Sequence, residues 1–102
     1  MSPEITLRVL VVDDDEEVLL MLGDALRARG YEVATARDGH EALDVAEAFE
    51  PDVALVDVVL PDLSGITLAS LLRGTARDDS NPRIVAYSGS DVHKLRQAVA
   101  RG

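Results

Sequence analysis

Residues 9–15 read VLVVDDD, four aliphatic side chains running directly into three aspartates. The stretch from Leu7 to Val12 is β-rich and almost wholly aliphatic. That is the pattern of a strand covered on both faces, and such strands belong to parallel sheets. Asp13, Asp14 and Asp15 therefore stand where a buried strand ends. Two carboxylates about 5 Å apart repel by roughly 3 kcal/mol at an effective dielectric near 20. A cluster of them needs a cation or a proton to be tolerated.

Outward from this stretch the apolar period alternates between that of a strand and that of a helix. Val18, Leu19, Leu22, Ala25 and Leu26 form a helical stripe, and Gly30, after Arg27 and Arg29, is its expected stop. Glu32 to Ala36 (EVATA) is a short strand. Asp38 with Glu41 three residues on predicts a capped helix start, with Ala42, Val45, Ala46 and Phe49 on one face. Asp52 to Val59 (DVALVDVV) is the most aliphatic run and the expected central strand. Ser64 caps a third helix that carries Leu68, Leu71 and Leu72 and ends near Gly74. Asn81-Pro82 breaks the chain before a fourth strand over Ile84 to Tyr87, and Ser90 caps a last helix with Val92, Leu95 and Val99. Strict alternation of strand and helix predicts an α/β fold: a parallel, doubly wound sheet with right-handed crossovers.

The 102 residues suit one domain, and 47% hydrophobic content is enough for a core. The excess of 19 acids over 10 bases, a formal charge of −9, argues against direct nucleic-acid binding, which needs a basic face to neutralise phosphates. A cation or a basic partner surface fits better. The absence of cysteine excludes disulfides, thiol catalysis and thiolate metal sites. No basic leader precedes an apolar segment, and no apolar run approaches the ~18 residues of a membrane span, so a cytoplasmic protein without membrane contact is expected.

In a doubly wound sheet ligands bind outside the carboxyl ends of the strands. Strand one brings Asp13 and Asp14 to that edge, strand three brings Asp57, and strand four brings Ser88. Asp15, Glu16 and Glu17 read as complements to the positive end of the first helix, each contributing about 0.3–1 kcal/mol. That reading does not cover Asp13, which still belongs to the strand terminus. Nor does it cover Asp57, set inside ALVDVVL, where an unpaired acid is too costly to be incidental. Oxygen ligands alone, with no cysteine and no histidine motif nearby, suit a hard divalent ion such as Mg²⁺. Ser88 places a hydroxyl within reach of anything attached to Asp57.

Asp13-Asp14 after an aliphatic strand, Asp57 inside DVALVDVVLPDLSG, and Ser88-Gly89 closing strand four resemble the receiver domains of bacterial two-component response regulators. The resemblance covers essentially the whole chain. It implies a flavodoxin-like fold in which Asp57 takes a phosphoryl group from the phosphohistidine of a sensor histidine kinase or phosphotransfer protein. Asp13 and Asp14 would hold Mg²⁺, with Asp57 and the backbone carbonyl of Val59 completing the protein ligands. Ser88 would hydrogen-bond the phosphoryl oxygens, and Tyr87 or the following loop would transmit the change. Pro61 and Gly65 match the turn after strand three, with a backbone role. Such a domain is a phosphoacceptor that assists its own phosphorylation and dephosphorylation, not an enzyme acting on other substrates.

The chain also departs from that pattern. Receivers carry a lysine at the end of a fifth strand, whereas here residues 1–102 read as a receiver that stops before the fifth strand and helix. Lys94, the single lysine, lies within the last helical pattern and does not take that place. The expected consequences are an open apolar edge on strand four (RIVAYS), an uncovered sheet face beside the first helix, and pairing of two copies through that edge. A receiver-like module working through contacts alone, without phosphorylation, is the rival reading. Val59 offers no polar side chain to orient a hydrolytic water, so a phosphate on a full-length version is expected to be held longer. A phosphatase of the haloacid dehalogenase type would want a second acid two residues after the nucleophile, where Val59 stands. No glycine-rich nucleotide loop is present. His40 and His93 read as isolated surface residues.

Overall fold

The structure, a computed structural model, describes residues 6–74 and 82–101, with Ser90 by its backbone alone. Asn81, expected to break the chain before strand four, and the Ser90 side chain, expected to cap the last helix, lie outside what is described. The strands are β1 (Arg8–Val12), β2 (Glu32–Ala36), β3 (Val53–Asp57) and β4 (Arg83–Tyr87); the helices are α1 (Glu16–Ala28), α2 (Gly39–Phe49), α3 (Gly65–Gly74) and α4 (Val92–Arg101). A single 3-10 turn, Gly89–Asp91, precedes α4. All strand pairs are parallel, in the order β2-β1-β3-β4. The expected doubly wound sheet is thus observed.

Strand residues alternate between two apolar layers, which is why the aliphatic runs are continuous. Leu10 and Val12 of β1 and Ala54 and Val56 of β3 pack with Ala42, Ala46, Leu68 and Leu72 of α2 and α3. Val9, Val11 and Leu55 face the opposite way, joining Tyr87 to Leu19, Leu22 and Leu26 of α1 and Val92 of α4. The two middle strands are therefore apolar on both sides.

Local chemistry sets the helix ends. Asp15 caps α1 by accepting from the Glu17 N–H at 2.9 Å. Gly30, at φ 91°, closes it: its N–H reaches the Arg27 carbonyl at 2.9 Å and the Tyr31 N–H the Leu26 carbonyl at 3.2 Å. That pair of bonds requires a left-handed residue, which favours glycine. Asp38 caps α2 through the Glu41 N–H at 2.8 Å, while the Glu41 carboxylate reaches back to the Arg37 N–H at 3.2 Å. Ser64 caps α3 through the Thr67 N–H at 3.1 Å.

Three expectations need correction. The run DVALVDVV does not stay in the sheet: β3 stops at Asp57, and Val59 turns out to bridge Ser64 with its side chain 73% exposed. Leu71 is 44% exposed, because only Leu68 and Leu72 fall on the buried stripe of α3. The sheet face beside α1 is not bare, since α4 packs against α1 and buries Val92 there, with Leu95 and Val99 partly buried beside it. An amphipathic helix satisfies its apolar stripe against whichever apolar surface its connection reaches. Among the described residues β4 pairs on one side only.

The loop after β3 is fastened to α2 by Asp62. Its carboxylate accepts from the Gly39 N–H at 2.8 Å and the His40 N–H at 3.0 Å, and it pairs with the His40 ring. His40 is exposed, as expected, but bonded. Partial burial opposes the Asp62 charge; the two N–H donors and the His40 ring outweigh it and bring the Asp62 carboxyl down to about 2. A folded-state value below the ordinary one means that the tie acts fully above about pH 4 and is lost as pH falls through about 2. Asp62→Ala should lower the thermal midpoint near pH 7, with the gap to wild type closing towards pH 2. A gap that does not depend on pH would show that the carboxylate charge plays no part.

Candidate phosphoacceptor site

β1 leads into Asp13, whose N–H extends the sheet ladder to the Ala36 carbonyl at 3.1 Å. β3 ends on Asp57, which stands in register with Tyr87 of β4. The strand ends therefore present their side chains at one rim. One carboxylate oxygen from each of Asp13, Asp14 and Asp57 lies within 4.8 Å of the other two. Asp13 and Asp57 are 3% and 9% exposed, while Asp14 is open to solvent.

Each buried acid is held by donors. Asp57 Oδ1 accepts from the Val59 N–H at 3.0 Å. Asp13 Oδ1 accepts from the Asp15 N–H at 2.9 Å, and its Oδ2 from the Tyr87 hydroxyl at 2.8 Å. Burial pushes the Asp13 carboxyl up, opposed by the Asp15 N–H and the Tyr87 hydroxyl and assisted by the charges of Asp57 and Asp14. Burial, then the bond to Asp13, pushes the Tyr87 phenol well above its ordinary value. Tyr87 is accordingly a donor throughout the working pH range.

Together with Asp15 and Glu17, the three acids form the acidic side of an open cleft of about 400 Å³, walled by Val18 and Met21 of α1 and by Gly89, Val92 and His93. An all-oxygen donor set with concentrated negative charge fits a hard divalent cation such as Mg²⁺. A second grouping, Asp38, His40 and Asp62, is less suited to one. Asp62 is already paired with the His40 ring, and both carboxylates are bonded to N–H donors at the positive end of α2, where a cation is disfavoured.

Of the residues singled out in the sequence, Asp13, Asp14 and Asp57 are brought together. Ser88 stands one residue beyond the register partner of Asp57, with its hydroxyl donating to Asp91 Oδ2 at 3.0 Å. Neither Ser88 nor Val59 is among the residues lining the cleft. Two contacts of the site have no signal in the sequence. His93 is exposed, as expected, and also forms part of the cleft wall because α4 docks against α1. Tyr87 binds Asp13 across 74 positions of chain, a link no local pattern signals.

Residues 9–102 match the family model described as the response regulator receiver domain. The chain belongs to the response regulator receiver family. Among curated proteins, this receiver is 46% identical over 85 residues to the transcriptional regulatory protein PrrA of Mycobacterium tuberculosis, a match covering 83% of this chain and 36% of that protein. It is 47% identical over 66 residues to the alkaline phosphatase synthesis transcriptional regulatory protein PhoP of Bacillus subtilis, covering 65% of this chain and 28% of that one. The receiver thus spans about a third of the length of these relatives.

Among solved structures, it resembles the chemotaxis response regulator CheY4 of Vibrio cholerae, with TM-score 0.74 and 33% identity over 93% of this chain and 81% of that one. It also resembles the response regulator TrrA of Thermotoga maritima, solved in complex with Mg²⁺ and BeF, with TM-score 0.69 and 26% identity over 95% and 98% of the two chains. The receiver assignment and the CheY-like flavodoxin fold therefore stand.

Proposed function

We propose that this receiver is switched by phosphorylation of Asp57, with a phosphohistidine of a sensor histidine kinase or phosphotransfer protein as donor. The observation that carries the reading is the convergence of Asp13, Asp14 and Asp57 within 4.8 Å at the rim of the sheet. Asp57 Oδ1 is engaged by the Val59 N–H, which makes Oδ2 the attacking atom. The Oδ2–P bond forms as the P–N bond of the donor breaks, and the electron pair leaves on the imidazole nitrogen. Asp13, Asp14, Asp57 and the Val59 carbonyl would hold Mg²⁺, whose chemistry there is to neutralise charge on the transferring group. Ser88 is assigned to the phosphoryl oxygens, which requires its hydroxyl to exchange Asp91 for the new acceptor.

The domain is a phosphoacceptor rather than a turnover enzyme, and a cytoplasmic location fits that role. No helix among the described residues is long and apolar enough to cross a membrane. Direct nucleic-acid binding by this domain is not part of the proposal, given the −9 charge.

Incubation with acetyl phosphate and Mg²⁺ should add the mass of one phosphoryl group, and chelation of the metal should prevent it. The rival is a module acting through contacts alone, and the turning of Ser88 towards Asp91 is the feature that favours it. An unchanged mass under all conditions would select the rival. For a chain of these residues alone, the β4 edge that has no described partner strand is further proposed as a surface through which two copies pair. Sedimentation that stays monomeric at rising protein concentration would remove this assignment.

A further inference from the structure

We propose that Tyr87 is a positioning residue for the divalent cation, acting through Asp13. The inference rests on the phosphoacceptor reading above and adds to it a residue outside the ligand set. Tyr87 lies at the end of β4, two strands away from Asp13 in the order β1-β3-β4. Its carbonyl accepts the Val58 N–H at 2.9 Å, next to Asp57, while its hydroxyl reaches Asp13 Oδ2 at 2.8 Å. Tyr87 therefore joins the segment that carries Asp57 to the one that carries Asp13, through its backbone carbonyl on one side and its hydroxyl on the other.

The bond is fixed at both ends. The Tyr87 ring is 5% exposed and belongs to the apolar cluster of Val9, Val11, Leu19, Leu22, Leu55 and Val92, so the hydroxyl has little freedom to wander. The Asp13 carboxylate is gripped through both oxygens, by the Asp15 N–H on Oδ1 and by Tyr87 on Oδ2. Two donors on opposite oxygens set the plane of the group. The lone pairs left over are then presented to the space shared with Asp14 and Asp57 instead of sampling rotamers. A phenylalanine would fill the same apolar volume, so packing alone does not call for the hydroxyl. A buried hydroxyl is tolerated only when paired, and its strongest partner here is the acid. Donors that orient a metal-binding group, without touching the metal, typically affect affinity by 10–100-fold.

The test compares wild type with Tyr87→Phe in three measurements: the thermal midpoint in chelator, the Mg²⁺ dissociation constant by calorimetry, and the rate of phosphorylation by acetyl phosphate at saturating Mg²⁺. A positioning role predicts Mg²⁺ binding weakened about tenfold, with the rate at saturating metal returning close to wild type. A merely structural role would lower the midpoint and leave the dissociation constant unchanged, which overturns the proposal.

A second measurement keeps the proposal testable if Tyr87→Phe does not fold. The chain has two tyrosines, so Tyr31→Phe leaves Tyr87 as the one reporter. Its ultraviolet difference spectrum should change during a Mg²⁺ titration, in step with binding; a flat spectrum through saturation also overturns the proposal. Wild type that neither binds Mg²⁺ nor gains phosphate removes the phosphoacceptor reading and this inference with it. Wild type that does both, beside an unchanged Tyr87→Phe, removes this inference alone.

Discussion

Asp57→Asn, incubated with acetyl phosphate and Mg²⁺, is expected to gain no mass while the wild-type chain gains one phosphoryl group. The substitution keeps size and shape, and its side-chain oxygen still accepts from the Val59 N–H that now binds Oδ1 at 3.0 Å. What disappears is the carboxylate oxygen proposed as the nucleophile. An amide oxygen is too weak a base and too poor a nucleophile to substitute, so the loss should be complete on the time scale of wild-type labelling.

The same change should have the opposite sign on stability. Asp57 is buried, with a carboxylate oxygen within 4.8 Å of oxygens from Asp13 and Asp14. Like charges at that separation repel, and removing one in metal-free buffer should stabilise the fold by about 1 kcal/mol, an increase of roughly 4–8 °C in thermal midpoint for a domain of this size. Function lost while stability is gained is a signature that simple misfolding cannot imitate. Continued labelling of Asp57→Asn would place the phosphoacceptor elsewhere and dismantle the reading of the acid cluster.

Among the described glycines, Gly65→Ala is expected to be the most disruptive added methyl for this site. A Cβ at Gly65 would lie 2.7 Å from the Asp57 carbonyl oxygen and 2.8 Å from the Val58 Cα. Both atoms are backbone, so no side chain can swing away to make room. The Gly65 N–H also donates to the Val58 carbonyl at 3.0 Å, which locks the start of α3 against the end of β3. Relief therefore requires the backbone that carries Asp57 to shift. Overpacking of this kind costs about 1–3 kcal/mol. The thermal midpoint should fall on the order of 10 °C, with phosphorylation and Mg²⁺ binding both weakened. Gly89 supplies the control, since nothing lies within 4 Å of a Cβ built there. Equal midpoints for Gly65→Ala and Gly89→Ala would mean that the close approach to β3 does not constrain the loop.

Some of this was legible in the chain before any coordinates. The aliphatic runs ending in acids named Asp13, Asp14 and Asp57, and the observed register gathers those three. Asp38 with Glu41, and Gly30 after the α1 stripe, end their helices as their chemistry requires. Other readings failed for identifiable reasons. Val58 and Val59 look like strand residues, yet β3 stops at Asp57 because the chain must turn into the loop where Gly65 meets Val58. Leu71 looks like a core residue, yet the helix phase leaves it outside the stripe set by Leu68 and Leu72.

By itself, the order of residues determined the alternation of strands and helices, the stop of α1, the caps of α2 and α3 and the acids at the strand ends. Each of these depends on periodicity or hydrogen bonding within a few neighbouring positions. Only the tertiary structure decided that α4 covers the α1 face, that His93 walls the cleft, and that Tyr87 grips Asp13. The reason is that apolar burial is non-directional: a stripe such as Val92, Leu95 and Val99 demands cover without naming it. A contact across 74 positions exists only after sheet register and helix docking have placed both ends.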